Sequence, residues 1–397
     1  MTTDVPSLLG LLLFGWSFVV ASTSLEAARR MAFAPRAPRR AGVEEAVRKA
    51  NPSVLVVRPC AGSEPSLERT LASLARAERS FDVRCRFAIE GEADLALPAA
   101  QRAAEALACA GIEAEIVFTG GGGPNRKAAQ LAAAAEGADV LIVTDSDVDL
   151  AGVDLDALVA PLIGASPAWV AWAPPSEHAP PRTLGDHASA AVLGASLHAF
   201  PVLAQLDPRG LVGKLFAIRG SALAAIGGFG SLVDYLGEDM EIARRVRERG
   251  GAVVAVPIVA RSLAEGRSWE AVIARFSRWL TVIRAQRPLL LWSYPALFFA
   301  TGPIVLLAAA FAFVVPKVAF GAALLALLAR LGIALVAARA AGRPLGLVSA
   351  LRDAVLADVV LAFAFARALR SRTVTWRDRV LVVDRTGLLR QPSAVKP

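Results

Sequence analysis

Val140-Leu141-Ile142-Val143-Thr144, followed at once by Asp145-Ser146-Asp147, is the stretch on which the fold turns. Five aliphatic or β-branched residues without polar alternation describe a strand buried on both faces, as in a sheet covered by helices on either side. Upstream, Ser53–Arg58 (SVLVVR) predicts a strand of the same kind, then a loop over Pro59–Pro65 and a helix opening near Ser66, a residue suited to cap it. Val83–Ile89 predicts a strand, Ala99–Ala110 an Ala-rich helix stopped by Gly111, Ala114–Phe118 a strand and Lys127–Ala135 a helix. Strands alternating with helices place the chain in the α/β class, with a doubly wound, mostly parallel sheet. Ligands of such sheets bind beyond the carboxyl ends of the strands, and several chemistry-bearing residues fall there.

Asp145 and Asp147 stand one residue apart at a strand end, where two carboxylates can converge on a hard divalent cation, Mg²⁺ or Mn²⁺. A solvated turn is the plain alternative for an Asp-x-Asp sequence. Gly120–Gly123 precedes Asn125 and Lys127 but is not a phosphate-binding P-loop, because Arg126 stands where its last glycine is needed and Ala128 replaces Ser/Thr. Lys127, opening a helix at a strand end, is the better anion ligand. Tyr235-Leu236-Gly237-Glu238-Asp239-Met240 precedes the charged helical run Glu241–Arg249. An acid here either complements the helix terminus or serves as a general base. In Arg275-Phe276-Ser277-Arg278-Trp279, helical spacing puts Arg275, Arg278 and Trp279 on one face, two guanidiniums suited to phosphate beside an indole. Basic residues of an interfacial helix are the plain reading.

The 397 residues carry a net charge of +8, with 55% hydrophobic and 20% charged residues, and a mean hydropathy of +0.51. The positive charge is confined to two flanks: residues 25–49 hold seven Arg/Lys against three acids, and residues 367–397 hold eight against two. A nucleic-acid binder needs a basic stripe on the folded domain itself, so nucleic acid is not an expected partner. The cysteines Cys60, Cys85 and Cys109 show no paired spacing, which excludes a disulfide framework or zinc site and fits a reducing compartment. Val5–Leu25 is free of charge and long enough to cross a bilayer, and its basic residues follow rather than precede it, so it reads as a retained anchor whose far end is cytoplasmic. Pro288–Pro316 and Val318–Ala338 predict two further spans, the latter interrupted by Arg330, which must snorkel or pair with Asp353 or Asp358. Ala354–Ala366 contains Asp358, is short for a span, and predicts a re-entrant or interfacial helix.

In order, these motifs resemble the ceramide glucosyltransferase family, glycosyltransferase family 21. The resemblance rests on VLVVRPCAGSEPSLERTLASL (Val54–Leu74), the Asp-x-Asp at Asp145–Asp147, Asn125-Arg126-Lys127 with Gln130-Leu131, His198 between the two acidic elements, GEDMEIARRVRERG (Gly237–Gly250), the Arg-x-x-Arg-Trp of Arg275–Trp279 and RTVTWRDR (Arg372–Arg379). It departs where the family has a DDPA-like element: here Asp94 aligns best, with Glu90 as rival, and Arg126 replaces a proline. The resemblance implies a GT-A fold and an inverting transfer of a hexose, glucose in the family, from a UDP-sugar to the hydroxyl of a membrane lipid such as ceramide. By that implication Asp239 is the base, Asp145 and Asp147 hold the metal, and Asp94 or Glu90 contacts the nucleotide. Lys127, Asp145, Arg275, Arg278 and Trp279 would bind the nucleotide sugar, and His198, Glu238 and Trp279 the acceptor.

N-acetylglucosaminyl transfer to a hopanoid polyol is an alternative within the class. A glycosidase using the paired carboxylates and a non-catalytic lipid-binding protein are alternatives outside it. The expected organisation is an anchor at 5–25, a GT-A domain at 51–267 and an amphipathic interfacial helix at 268–287. Two transmembrane helices at 288–343, a re-entrant or interfacial helix at 344–371 and a basic cytoplasmic tail at 372–397 complete it. This is a multi-pass protein, expected in a bacterial inner membrane with its catalytic domain cytoplasmic.

Overall fold

The computed structural model describes residues 5–33, 40–164, 167–207, 210–343, 346–376 and 379–391. The chain divides into two compact units: Met1–Ala34, Pro180–Leu206 and Gly266–Thr386 in one, and Pro35–Ala179, Asp207–Glu265 and Gly387–Pro397 in the other. Residues 180–206, inside the expected 51–267 domain, thus group with the apolar helices. Leu389–Arg390, in the expected tail, groups with the sheet.

Besides the strand Leu389–Arg390, the described residues of the sheet unit form ten strands: β1 Val54–Pro59, β2 Val83–Ile89, β3 Ala114–Phe118, β4 Val140–Thr144, β5 Val148–Asp149, β6 Val170–Trp172, β7 Pro175–Glu177, β8 Leu215–Arg219, β9 Val253–Ala255 and β10 Ala260–Ser262. Seven form one sheet in the order β3-β2-β1-β4-β8-β6-β9. β1 to β4 are mutually parallel, β8 runs antiparallel between β4 and β6, and β9 is parallel to β6. The α/β class with a parallel-dominated sheet is therefore observed. β1 and β4 are buried along their whole length, because helices such as Leu97–Cys109, burying Ala100, Ala103 and Leu107, cover the sheet. Val56, Leu71, Phe87, Leu107, Ile142 and Leu215 belong to its core. Cys60 and Cys85 are buried thiols and Cys109 is exposed; burial pushes the Cys85 thiol up to about 12.

Register decides what meets at the carboxyl end of β4. Val54 pairs with both Val83 and Val140, so the ends of β1, β2 and β4 come level. The antiparallel pairing sets Thr144 opposite Leu215, and so brings the residue before β8 to the residue after β4. The short sheet β5-β10-β7 closes over this end. Ser66 does not cap the helix Leu67–Ala72 as expected; its hydroxyl instead donates to the Leu263 carbonyl at 3.3 Å.

In the other unit, two helices are long and apolar enough to cross a membrane, Val5–Ala32 and Pro316–Ala340. The expected span at Pro288–Pro316 is broken: Pro288–Phe298 and Thr301–Phe311 meet at 53°. Its first half includes a π-helical turn, Tyr294–Phe298, that begins just before Pro295, a residue without an amide proton. Leu347–Arg370, which carries Ala354–Ala366, is one continuous helix. The Trp16 indole donates to the Ala296 carbonyl and the Ser17 hydroxyl to that of Ala322, both at 2.7 Å, tying the first helix to the two following.

Arg330 is buried and pairs with Asp358 at 2.8 Å, whose other oxygen accepts from the Gly302 amide at 2.9 Å. Asp353 pairs with Arg352 instead. The Arg330–Asp358 pair therefore joins two long helices to the helix that follows the break. A buried pair is costly to halve and cheap to replace whole. Arg330→Met alone should lower the thermal midpoint in detergent by an amount equivalent to about 3 kcal/mol, and Arg330→Met with Asp358→Leu should recover most of it. Equal loss in the single and double variants would overturn this account.

Candidate active site

Arg58, at the carboxyl end of β1, is fully buried beneath the Asp145–Val148 loop. Its guanidinium donates to the carbonyls of Thr70 (2.6 Å), Asp145 (3.1 Å) and Val148 (2.7 Å), and the Thr70 hydroxyl donates to that of Ser146. The loop carbonyls are thus drawn inward by a planar multi-donor group, and the Asp145 amide is held by the Lys214 carbonyl at 2.9 Å.

The two carboxylates of this loop meet two ammonium groups. Lys127 lies 2.7 Å from Asp145 and 3.3 Å from Glu238, and also donates to the Gly213 carbonyl at 2.8 Å. Lys214 donates to Asp147 at 2.6 Å and lies 3.4 Å from Asp145, so one ammonium spans both aspartates. Asp147 also accepts from the Ser262 hydroxyl at 2.7 Å. Burial alone would lower the Lys127 pKa; Asp145 and Glu238 overcome it and hold this lysine charged, above its usual range.

Asp239 sits in the first turn of the helix Glu238–Glu248, whose N-cap is Gly237. Its oxygens accept from the amides of Gly213 (2.9 Å) and Met240 (2.8 Å). Burial and the adjacent Glu238 carboxylate push its pKa up to about 6, against the pull of Lys127 and the two amides. Asn125 caps the helix Arg126–Ala134 through Ala128 (3.0 Å) while its amide donates to Tyr235 (2.8 Å) and Glu238 (3.1 Å), coupling that helix to the acidic turn. Backbone pairing of Gly387 and Leu389 with Leu236 and Asp234 braces the same turn.

The rival acids that follow β2 have different surroundings. Glu90 pairs with Arg126 at 3.1 Å and lies against Gly121, whose φ is +61° and where a Cβ would come within 2.3 Å of the Glu90 carboxylate. That position of the glycine run therefore requires glycine on two counts. One Asp94 oxygen accepts from the amides of Gly62 (2.8 Å) and Ala96 (3.0 Å), shaping the loop after β1.

Arg275, Arg278 and Trp279 lie on the helix Trp269–Gln286 of the other unit, and His198 lies in the same unit between the helices Leu184–Gly194 and Phe200–Leu206. The Arg275 guanidinium stands 4.8 Å from the Trp279 ring centroid and donates to the Ser189 hydroxyl at 3.1 Å. Trp279 stacks on His198 with centroids 5.8 Å apart. Burial, then the Arg275 charge, pushes the His198 pKa down to about 3, so its ring is neutral.

Within the sheet unit the structure therefore gathers Asp145, Asp147, Lys127, Glu238 and Asp239, while Glu90, just after β2, pairs with Arg126. Arg58, Gly213 and Lys214 were not anticipated. Arg58 was hidden in an apolar strand, and Lys214 is brought in by an antiparallel pairing that no local pattern announces. Arg58→Met would remove a guanidinium hydrogen bond from each of three carbonyls, although Thr70 keeps the Ser73 hydroxyl and amide and Asp145 keeps the Val148 amide. At ~1 kcal/mol for each lost hydrogen bond, denaturant unfolding of the sheet unit should lose about 3 kcal/mol. A midpoint equal to that of the parent protein would remove Arg58 from this role.

No curated protein matches the chain in sequence. Among solved structures, a mannosyltransferase from Pyrobaculum calidifontis in complex with GDP-Man and Mn²⁺ is similar over 90% of this chain and 98% of its own, at 17% identity and a TM-score of 0.47. Glucosyl-3-phosphoglycerate synthase from Mycobacterium tuberculosis, in complex with Mn²⁺, UDP and glucosyl-3-phosphoglycerate, covers 62% of this chain and 86% of its own, at 17% identity and a TM-score of 0.36. The sequence pattern described as Glycosyl transferase family 21 matches residues 14–389, nearly the whole length, and the chain belongs to that family.

Proposed function

We propose that this glycosyltransferase moves a hexose, glucose in the first instance, from a UDP-sugar to the hydroxyl of a membrane lipid such as ceramide, with inversion at the anomeric carbon. The observation that carries the reading is Asp239: a half-buried carboxylate with a raised pKa, oriented by two backbone amides and set beside the Lys127–Asp145 pair. A general base works best when its pKa approaches the working pH. Asp239 takes the proton of the acceptor hydroxyl as that oxygen forms its bond to the anomeric carbon, and the bond from that carbon to the diphosphate breaks. Lys127 and Lys214 lie where negative charge on a departing diphosphate would be offset.

The residues also fit a divalent cation. Asp145 and Asp147 already share one ammonium, so they converge closely enough to share one cation, and both present hard oxygen donors. Among the described residues no three His, Cys, Asp or Glu side chains form a ligand set, so Mg²⁺ or Mn²⁺ would rest on these two carboxylates and on phosphate oxygens, the usual mode for Mg²⁺. Bound there, it would supply further charge neutralisation at the leaving group. Asp94 or Glu90 would contact the nucleotide, Arg275 and Arg278 the diphosphate, and His198, Glu238 and Trp279 the acceptor.

A membrane acceptor is supported by the two apolar helices and by the large apolar side chains they leave exposed, among them Leu12, Phe18, Phe320 and Leu328. The basic flanks, Leu25–Lys49 and Arg367–Pro397, favour the cytoplasmic leaflet, with the sheet unit on that side.

Membranes incubated with labelled UDP-glucose or UDP-N-acetylglucosamine should yield a glycosylated lipid identifiable by mass; labelling by neither donor would defeat the proposal. Asp239→Asn should reduce transfer by at least ~100-fold while the protein still inserts and melts normally. Because the base must be ionised and its pKa is raised to about 6, the transfer rate should climb as pH rises through about 6 and level off above it. A rate unchanged between pH 5 and 7 would exclude Asp239 as the titrating base.

A further inference from the structure

His198 is almost fully buried and ringed by aromatic side chains: Phe200, Phe276, Trp279, Tyr294 and Phe298 all have centroids between 5.4 and 6.0 Å from its own. Its Nδ1 lies 3.0 Å from the Tyr294 hydroxyl. Its Nε2 is buried with no hydrogen-bond partner among the described residues. Native proteins rarely leave such an atom unpaired without a functional reason.

Which nitrogen carries the proton follows from Tyr294. That phenol is itself buried, and Nδ1 is the one acceptor within hydrogen-bond reach of it among the described residues. Were Nδ1 protonated, the phenol proton would be left buried without an acceptor, at a cost of about 1–3 kcal/mol. The phenol therefore donates to Nδ1, and the neutral ring carries its hydrogen on Nε2. Tyr294 is delivered by the π-helical turn of the broken helix, where the Phe299 amide reaches back to the Tyr294 carbonyl at 3.1 Å, and its ring stacks on Phe298 with centroids 4.5 Å apart. Such turns concentrate at functional sites.

We propose that Tyr294 is a positioning residue that fixes His198 as the Nε2-protonated imidazole, so that Nε2–H donates a hydrogen bond to an uncharged oxygen in the head group of the lipid acceptor. This rests on the lipid-acceptor reading above. Aromatic boxes also take quaternary ammonium groups, but here the one polar atom offered is a donor, and the Arg275 guanidinium already lies over the Trp279 face. Both features oppose a cation and suit a hydroxyl or amide oxygen.

The test uses the full chain in detergent micelles with ¹⁵N-labelled histidine. The sequence has three histidines, and His198→Gln identifies the resonances of interest. The parent protein should show an unprotonated, hydrogen-bonded Nδ1 and a protonated Nε2. Short-chain ceramide should shift the Nε2–H signal, and Tyr294→Phe, which keeps the ring stacking, should mix the tautomers and weaken that response. In transfer assays Tyr294→Phe should raise KM for the lipid about 5-fold, the worth of one hydrogen bond, with KM for the UDP-sugar within 2-fold of the parent.

A proton on Nδ1 in the parent protein, a His198 ring indifferent to ceramide, or an unchanged lipid KM in Tyr294→Phe would each overturn the proposal. Should ceramide shift the ring while no lipid is glycosylated, the transfer reading fails and the head-group contact stands.

Discussion

The buried guanidinium of Arg58 is the contact on which the sheet unit's chemistry depends. One side chain from β1 ties the carbonyl of Thr70 to those of Asp145 and Val148, so a strand, the helix after it and the carboxylate loop after β4 are held as one piece. Burying this charge is tolerated because its donors are matched by oriented carbonyl dipoles. With those carbonyls turned inward, the acids of the loop meet the lysines of two other elements.

The second constraint is the reversal at β8. Three parallel neighbours bring strand ends to one edge, but the antiparallel partner brings a strand beginning there. Lys214 therefore faces Asp145 and Asp147, and Gly213 beside it receives Lys127 on its carbonyl while its amide holds Asp239. A side chain at Gly213 would stand 3.2 Å from the Lys127 ammonium and 3.3 Å from the Asp239 Cβ. The absence of a side chain lets Asp239 and Lys127 approach the same peptide unit.

These two constraints explain what could be read from the residues alone. The strands at Val54, Val83, Ala114 and Val140 begin within a residue of their expected positions, because uninterrupted aliphatic runs bounded by polar turns leave a buried strand little freedom. The acids that a strand end projects were legible for the same reason. Arg58 was not, because it looks like the polar end of an apolar run, and Lys214 was not, because pairing direction is a long-range property. Hydropathy likewise registers Pro288–Pro316 as continuous. The bend there comes from a wide backbone turn near a proline and from Asp358 binding the Gly302 amide, neither of which alters apolar content. The grouping of residues 180–206 with the apolar helices had no local signature either, although Asp186 receives the amides of Gly266 and Arg267 at 3.0 Å, joining its two separated segments.

Charge at the cluster links its geometry to its chemistry. Asp145, Asp147, Glu238 and Asp239 face the ammonium groups of Lys127 and Lys214, with the buried Arg58 charge nearby. With all four acids ionised, the group would carry a net negative charge in a poorly hydrated place. Asp239, buried and beside Glu238 in sequence, has its pKa raised in this setting. The same excess disfavours an anionic donor arriving unaccompanied, since a diphosphate would deepen it, whereas a divalent cation entering with the diphosphate adds little net charge. A site of this composition is therefore suited to a cation–diphosphate pair rather than to the free anion, with Asp239 held at the position two amides have already oriented.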